Sequence, residues 1–128
     1  MIKVMVFGTF DILHQGHIDF FRQAREHGDF LIAVTARDST VKQIGKEVIQ
    51  NENERLKNVK QFADLAVLGS SGDKYEVIRR YNPDIICLGY DQTHFVDGLQ
   101  NLNIEILRLK PYQENKFKSS LIRNSMKS

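Results

Sequence analysis

Short apolar runs rich in β-branched residues alternate with stretches of helical period, and this alternation limits the possible folds more than any other feature of the sequence. Five runs have the length of a strand, and they lie at residues 2–7, 30–34, 65–68, 84–88 and 104–109. Several of them are almost continuously apolar, as strands buried on both faces are. The pattern therefore predicts an α/β fold in which helices cover a five-stranded parallel sheet.

The stretches between these runs carry helix signals. The first helix is expected at about residues 17–27, with Gly28 as a left-handed C-terminal cap. Two further starts show capping-box spacing, and they are Asn51 with Glu54 and Asp73 with Glu76. The Asn82-Pro83 pair should end the second of these helices, because the residue before a proline disfavours helical backbone.

The rest of the chain is less regular. Weaker signals predict helices at residues 93–102 and 119–127. Residues 35–50 contain Gly45 and scattered lysines without a clear period, so a loop is expected there, and loops of that length are usually functional. Because no repeat or linker interrupts the pattern, we predict one domain over residues 1–128.

Composition argues against several classes of protein. The 128 residues carry a formal net charge of +2 and are 41% hydrophobic, as in a globular domain and unlike a disordered chain. This small positive excess argues against nucleic acid as a partner. No apolar run is long enough to span a membrane, and the first residues lack the layout of a secretory signal, so a cytoplasmic protein with no membrane partner is expected. The lone cysteine, Cys87, predicts neither a disulfide nor a cysteine-ligated metal.

Residues 8–17, GTFDILHQGH, join the first predicted strand to the first helix. Parallel α/β sheets bind ligands at the carboxyl ends of their strands, and a helix N-terminus there presents free N–H groups to an anion. Gly8 lets the backbone approach a ligand, and Gly16 removes a side chain that would crowd a phosphate. His14 and His17 can donate hydrogen bonds to phosphate oxygens. The segment predicts a phosphate site; the alternative is two incidental polar residues near a helix start.

This segment resembles the HxGH signature of the nucleotidyltransferase superfamily. The form GTFDxLHxGH is similar to the branch that holds archaeal FAD synthase (FMN adenylyltransferase), glycerol-3-phosphate cytidylyltransferase and the heptose-phosphate nucleotidyltransferases of lipopolysaccharide core biosynthesis. The resemblance implies a Rossmann-like three-layer α/β/α fold, and it implies that His14 and His17 are catalytic. The nucleotide contacts that it implies here are Gly8, Thr9, Phe10, His14, Gly16 and His17. By residue character alone, Phe10 is expected in the core.

A second resemblance follows the fourth predicted strand, where the sequence reads Gly89, Tyr90, Asp91, Gln92. The GYDQ sequence is similar to that of archaeal FAD synthases and implies contact with the nucleotide. Asp91 could accept hydrogen bonds from the ribose hydroxyls or the base amino group. The alternative is a polar turn in which Asp91 caps the next helix.

A third resemblance lies near the C-terminus, where residues 117–123 read FKSSLIR and are similar to the ISTTKI segment of the family. It implies that Ser119 and Ser120, at a helix start, hold the β- and γ-phosphates. The cytidylyltransferases carry an Arg shortly before this segment, and this chain does not, so Lys116, Lys118 or Arg123 would have to supply the charge. An ordinary capped helix is the alternative reading.

Three residues are implied on the acceptor side, and they are Asp11, Lys42 and Arg55. The family uses a lysine after the second strand to hold the acceptor or the transferring phosphate, and Lys42 is assigned that catalytic role. Lys46 is interpreted as a solvated loop charge. Arg55 is either an acceptor ligand or a surface partner of Glu52.

Within the superfamily, the GYDQ sequence and the terminal serines favour transfer of AMP from ATP to FMN, giving FAD and pyrophosphate, with Mg²⁺ bound to the triphosphate. The resemblance also implies a homodimer. Three alternatives stay open. The chain could transfer CMP or AMP to glycerol phosphate or a heptose phosphate, or hold a nucleotide without turnover. It could also bind a metal through Asp11, His14 and His17, although no side-chain metal site is expected.

Overall fold

The computed structural model describes residues 1–70, 72–73, 75–92 and 102–112. The five strands are β1 Lys3–Gly8, β2 Phe30–Thr35, β3 Leu65–Leu68, β4 Ile85–Leu88 and β5 Glu105–Arg108. The helices within the described ranges are α1 Gln15–Arg25, α2 Asp38–Gln43, α3 Glu52–Val59 and α4 Glu76–Tyr81.

All five strands pair in parallel, in the order β3-β2-β1-β4-β5. The chain therefore winds outward from β1 in one direction to β3, and then crosses back to β4 on the other side of β1. The loops that follow β1 and β4 diverge at this reversal, which opens a crevice at the carboxyl edge of the sheet. The predicted α/β class and all five predicted strands are confirmed.

Two apolar layers cover the two faces of the sheet. One face packs Val4, Val6 and Leu31 against Phe21 of α1 and Val59 of α3. The other face packs Met5, Ile32 and Ile86 against Val77 and Ile78 of α4. Alternate residues of β1 thus serve opposite layers, as the two-residue repeat of a strand requires.

The start and the end of α1 differ from the prediction. The helix begins at Gln15, two residues early, because His14 itself acts as the N-cap. Gly28 is not a left-handed cap, since the helix is capped by Glu26 in ordinary helical backbone. An added Cβ at Gly28 would lie 2.8 Å from the carbonyl oxygen of Ile2, so close approach to β1 is what requires glycine there.

Residues 35–50 are not one loop, because they contain the six-residue helix α2. The capping box of Asn51 and Glu54 is confirmed, with hydrogen bonds in both directions. The other predicted box is wrong: α4 starts after Tyr75, and the Asp73 carboxylate accepts a hydrogen bond from the Tyr75 amide instead. Asn82 ends α4 as expected, in left-handed backbone with φ of 48°.

The helix predicted at residues 119–127 and most of the one predicted at 93–102 lie outside the described residues. Among the helices that are described, none is both long enough and apolar enough to cross a membrane.

Candidate nucleotide-binding site

A cleft of about 1370 Å³ lies at the carboxyl edge of the sheet. Its floor is the end of β1, and its walls come from α1, α2 and the segments after β3, β4 and β5. Most of the residues singled out by the motifs line it, namely Gly8, Thr9, Phe10, Asp11, His14, Gly16, His17, Gly89, Tyr90, Asp91 and Gln92. The reversal of strand order thus brings the first and second motifs to one site, although about 75 residues separate them along the chain.

The loop between β1 and α1 has unusual backbone geometry. Phe10 and Ile12 both have positive φ, at 56° and 50°, where side chains with a Cβ are strained. Burial holds the first in place, because the Phe10 ring is only 4% exposed and contacts Phe21 at a centroid distance of 5.0 Å. The Ile12 amide donates to the Gln50 side chain at 3.0 Å. The Phe10 ring is therefore a core residue beneath the site, as its residue character predicts.

His14 and His17 form a capping box at the start of α1. The Gly16 amide donates to Nδ1 of His14 at 3.0 Å, and the His14 amide donates to Nδ1 of His17 at 3.2 Å. A ring nitrogen that accepts a hydrogen bond carries no proton, so each neutral imidazole holds its proton on Nε2. The two ring centroids are 4.0 Å apart. The cap therefore fixes two neighbouring Nε2–H donors on side chains that line the cleft.

His17 is neutral at physiological pH. Burial, followed by the proximity of His14, lowers the pKa of His17 from its ordinary value of 6.5 to about 4. Its imidazole thus donates a hydrogen bond without carrying a charge. The first turn of α1 contains no acidic residue, so the positive end of the helix dipole remains available to an anion.

The two motif glycines make room for side chains of the same motif. An added Cβ at Gly8 would lie 2.6 Å from the Phe10 ring, and one at Gly16 would lie 2.9 Å from Cε1 of His14. Gly16 therefore permits the imidazole of His14 to fold back over the helix start as its cap. The sequence-based reason for these glycines, close approach of a phosphate, was incomplete.

Asp11 lines the cleft, but its carboxylate is engaged by backbone. Its two oxygens accept from the amides of Ile49 and Gln50, both at 2.9 Å. The Ile49 amide, with that of Gln50 and the charge of Arg55, holds the pKa of Asp11 below its usual value. Asp11 thus ties the segment after α2 to the loop after β1.

Arg55 is fully buried and does not line the cleft, so the predicted surface role is wrong and the predicted contact with the acceptor finds no support in the lining. Its guanidinium donates to the carbonyl oxygens of Gln50, Thr9 and Ala36 at 2.8–3.0 Å, and to Asp38 at 2.7 Å. It is therefore not a surface partner of Glu52, and the contacts described for its guanidinium are with the protein itself. It joins the three segments that surround the floor of the cleft.

The structure places the two lysines of this segment differently. Both Lys42 and Lys46 are exposed, but only Lys46 lines the cleft. The cause is α2, because Thr40 and Gln43 of this helix and its C-cap Ile44 line the cleft at helical spacing. Lys42 lies on another face of the same helix.

The turn after β4, residues 89–92, is closed by two hydrogen bonds between its first and last residues. Within it, the Gln92 amide donates to the Gly89 carbonyl at 3.1 Å, and the Gly89 amide donates to the Gln92 side chain at 3.2 Å. Tyr90 is 58% exposed and lines the cleft beside Asp91.

Sequence reasoning missed several residues that line the cleft, among them Phe20, Ser70, Lys110 and Tyr112. Ser70 follows the carboxyl end of β3, and Lys110 and Tyr112 follow that of β5. Their positions after these strands could have indicated that they line a site. Ser119, Ser120, Lys116, Lys118 and Arg123 lie outside the described residues, so their assigned roles stay predictions.

Within the described ranges, no three His, Cys, Asp or Glu side chains are grouped so that they could hold a metal ion. In addition, the Nδ1 atoms of both histidines and the two oxygens of Asp11 already accept backbone hydrogen bonds. The arrangement suits a phosphorylated ligand, which would meet a helix N-terminus, two imidazole donors and the ammonium groups of Lys46 and Lys110.

Fold and site together define an α/β domain with a cleft at the reversal point of a parallel sheet, and the groups that line this cleft suit phosphorylated ligands. The model of the cytidylyltransferase-like family matches residues 5–125. A protein named FAD synthase from Thermoplasma acidophilum is 40% identical over 98% of this chain and 94% of its own length. The chain therefore belongs to the cytidylyltransferase-like family.

Two further matches come from Thermoplasma volcanium and carry different names. A curated protein named FAD synthase is 39% identical, over 98% of this chain and 94% of its own length. A crystal structure of a protein named as a lipopolysaccharide core biosynthesis protein is 41% identical, with a TM-score of 0.82 over 88% of this chain and 98% of that one.

Proposed function

We propose that this chain transfers AMP from ATP to FMN and releases FAD and pyrophosphate. The observation that carries the reaction type is the capping box of α1, which engages Nδ1 of both His14 and His17 and leaves Nε2 of each ring as a donor on a side chain that lines the cleft. The acceptor is supported by the relatives named FAD synthase, which match nearly the whole chain.

The chemistry is an in-line displacement at phosphorus. A phosphate oxygen of FMN forms a bond to the α-phosphorus of ATP, and the bond from that phosphorus to the bridging oxygen breaks. The electron pair leaves with pyrophosphate. Since the phosphate of FMN is already anionic near neutral pH, no side chain has to act as a nucleophile or a base. Catalysis is then positioning and stabilisation of charge.

The residues assigned to the site divide this work. The Nε2–H groups of His14 and His17 and the N-terminus of α1 stabilise charge on the α-phosphate and the leaving oxygen. Lys46 holds the attacking phosphate, in the role that the sequence assigned to Lys42. The turn of residues 89–92 binds the nucleoside, and Ser119 with Ser120 holds the departing pyrophosphate.

We assign the acceptor to the apolar part of the lining. It includes the side chains of Val34, Ile44 and Val77, and the lining also offers hydroxyl or amide groups from Thr40, Gln43 and Ser70. A flat, mainly apolar ring with a polar rim, such as that of a flavin, suits such walls better than a polyol does. The volume of about 1370 Å³ exceeds the roughly 300–1000 Å³ of a site for one small ligand, which leaves room for both substrates.

Mg²⁺ enters as part of the substrate, bound to the phosphates of ATP. The homodimer and the cytoplasmic location expected from the sequence belong to this proposal, and light scattering of the purified chain tests the first of them.

A second candidate is transfer of CMP or AMP to a sugar phosphate or polyol phosphate. The name of the T. volcanium protein of known structure, which refers to lipopolysaccharide core biosynthesis, favours it. A nucleotide-binding module without turnover is the third possibility, and it would release no pyrophosphate.

The test is pyrophosphate release with Mg²⁺, with ATP and CTP each paired with FMN, glycerol 3-phosphate and a heptose 1-phosphate. We expect release from ATP only when FMN is present. Release with another acceptor would keep the reaction and reject the flavin. If no pair released pyrophosphate but the chain still bound a nucleotide, the non-catalytic module would be favoured.

A further inference from the structure

Arg108, at the end of β5, contacts the turn that we assign to the nucleoside. Its Nη1 donates to the carbonyl oxygens of Gly89 at 2.8 Å and Gln92 at 3.0 Å, and approaches that of Tyr90 at 3.4 Å. The position follows from the register of the sheet, in which Arg108 pairs with Leu88, the last residue of β4. The side chain therefore reaches the residues that follow Leu88.

The charge of Arg108 is directed at these carbonyl groups. No carboxylate in the described part of the chain lies within 4.0 Å of its guanidinium. Three carbonyl dipoles converge on one nitrogen, and without that cation they would repel one another and present negative potential beside a phosphate site. The guanidinium thus stabilises the closed turn and neutralises its carbonyl side.

We propose that Arg108 is a positioning residue for the nucleotide, which fixes the turn of residues 89–92 so that Tyr90 and Asp91 meet the nucleoside. This inference rests on the proposed function, because it takes the ligand of the turn to be the nucleoside of ATP. Arg108 does not itself line the cleft, so it acts through the turn.

The test compares Arg108→Met and Arg108→Lys with the wild type. Binding of α,β-methylene ATP is measured by calorimetry without acceptor, and the KM values for ATP and FMN are measured separately. We expect Arg108→Met to weaken nucleotide binding and raise the KM for ATP about tenfold or more, with the KM for FMN changed less than about twofold. Arg108→Lys should recover part of the loss, since an ammonium also donates several hydrogen bonds from one nitrogen. Arg80→Met is the matched control, because Arg80 is an exposed arginine near the end of α4, which precedes the amino end of β4, whereas the turn follows the carboxyl end of that strand.

The proposal would be overturned if Arg108→Met bound the nucleotide with unchanged affinity, or if it raised the KM for ATP and the KM for FMN by the same factor. If Arg108→Met does not fold, Arg108→Lys decides by the same criterion. A wild type that binds the ATP analogue but makes no FAD would reject the acceptor and leave the calorimetric comparison valid. A wild type that binds no nucleotide would overturn both proposals.

Discussion

At the scale of single residues, the histidines of the motif have two tasks at once. Their Nδ1 atoms cap α1, and this leaves Nε2–H of each ring for a ligand. The sequence indicated the two imidazoles but not the cap, because histidine is not among the residues usually found at that position. The start of α1 was therefore predicted two residues after its observed position at Gln15. For the same reason, Gly16 was explained only by room for a phosphate and not by room for the His14 ring.

The two tasks can be separated by substitution at His14. His14→Ala removes cap and donor, so we expect the free energy of unfolding to fall by about 1 kcal/mol and turnover to be lost. His14→Asn keeps an oxygen that accepts from the Gly16 amide, so it should unfold like the wild type and still lose turnover. Urea unfolding and pyrophosphate release measure the two effects. Wild-type turnover in His14→Asn would contradict the role of the Nε2 donor.

The low pKa of His17 predicts a pH dependence of stability. With a pKa of about 4 in the folded state and an ordinary value of 6.5, the unfolded chain takes up a proton first as the pH falls. The contribution of this group is complete above pH 6.5 and is lost progressively between pH 6.5 and 4. His17→Gln can still accept from the His14 amide but does not titrate.

Urea unfolding of both proteins at pH 7, 6 and 5 tests this dependence. The wild type should lose more stability than His17→Gln as the pH falls. Parallel losses would show that His17 is not held neutral by the fold.

At the scale of elements, a six-residue helix decided which lysine reaches the cleft. The sequence of α2 contains two β-branched residues and no apolar repeat long enough to identify a helix, so the segment resembled a loop. Lys42 was assigned by resemblance to a family lysine after the second strand, and the direction of its side chain could not be judged on a helix that the sequence did not predict. In contrast, α3 was predicted well because Asn51 and Glu54 carry a complete capping box.

The two lysines form a matched pair for mutagenesis. Lys46→Ala removes an ammonium group from the cleft, so we expect turnover to fall tenfold or more, by about 1.4 kcal/mol in transition-state stabilisation. Lys42→Ala should change turnover less than about twofold, since its side chain is exposed outside the cleft. Steady-state kinetics with ATP and FMN measures both. The reverse order of effects would restore the original assignment.

At the scale of the whole molecule, the parallel strands and their order create the site. The strands could be predicted from apolar runs, because a strand that is buried on both faces, as β4 is, contains few polar residues. The buried position of Arg55 could not be predicted, because its partners are backbone carbonyls brought together only by the fold. The contacts of Arg108 could not be predicted either, because its partners lie in the turn that follows the neighbouring strand β4.

We expect Arg55 to stabilise the folded protein, because it joins the three segments that surround the floor of the cleft. Arg55→Met leaves three carbonyl groups without their donor, so we expect the free energy of unfolding to fall by about 3 kcal/mol. Arg80→Met, which breaks an exposed ion pair with Glu76, should cost less than about 0.5 kcal/mol. Chemical denaturation compares the two variants. A similar small loss in both would contradict the structural role assigned to Arg55.

The central claim is that AMP passes from ATP to FMN at this cleft, and the fate of a phosphorus label tests it most directly. The chain is incubated with FMN and Mg²⁺ and with ATP labelled at either the α- or the γ-phosphorus, and the flavins are then separated. We predict that the α-label appears in FAD and the γ-label in pyrophosphate. A flavin that carries the γ-label, or the absence of labelled FAD with both nucleotides, would contradict the account.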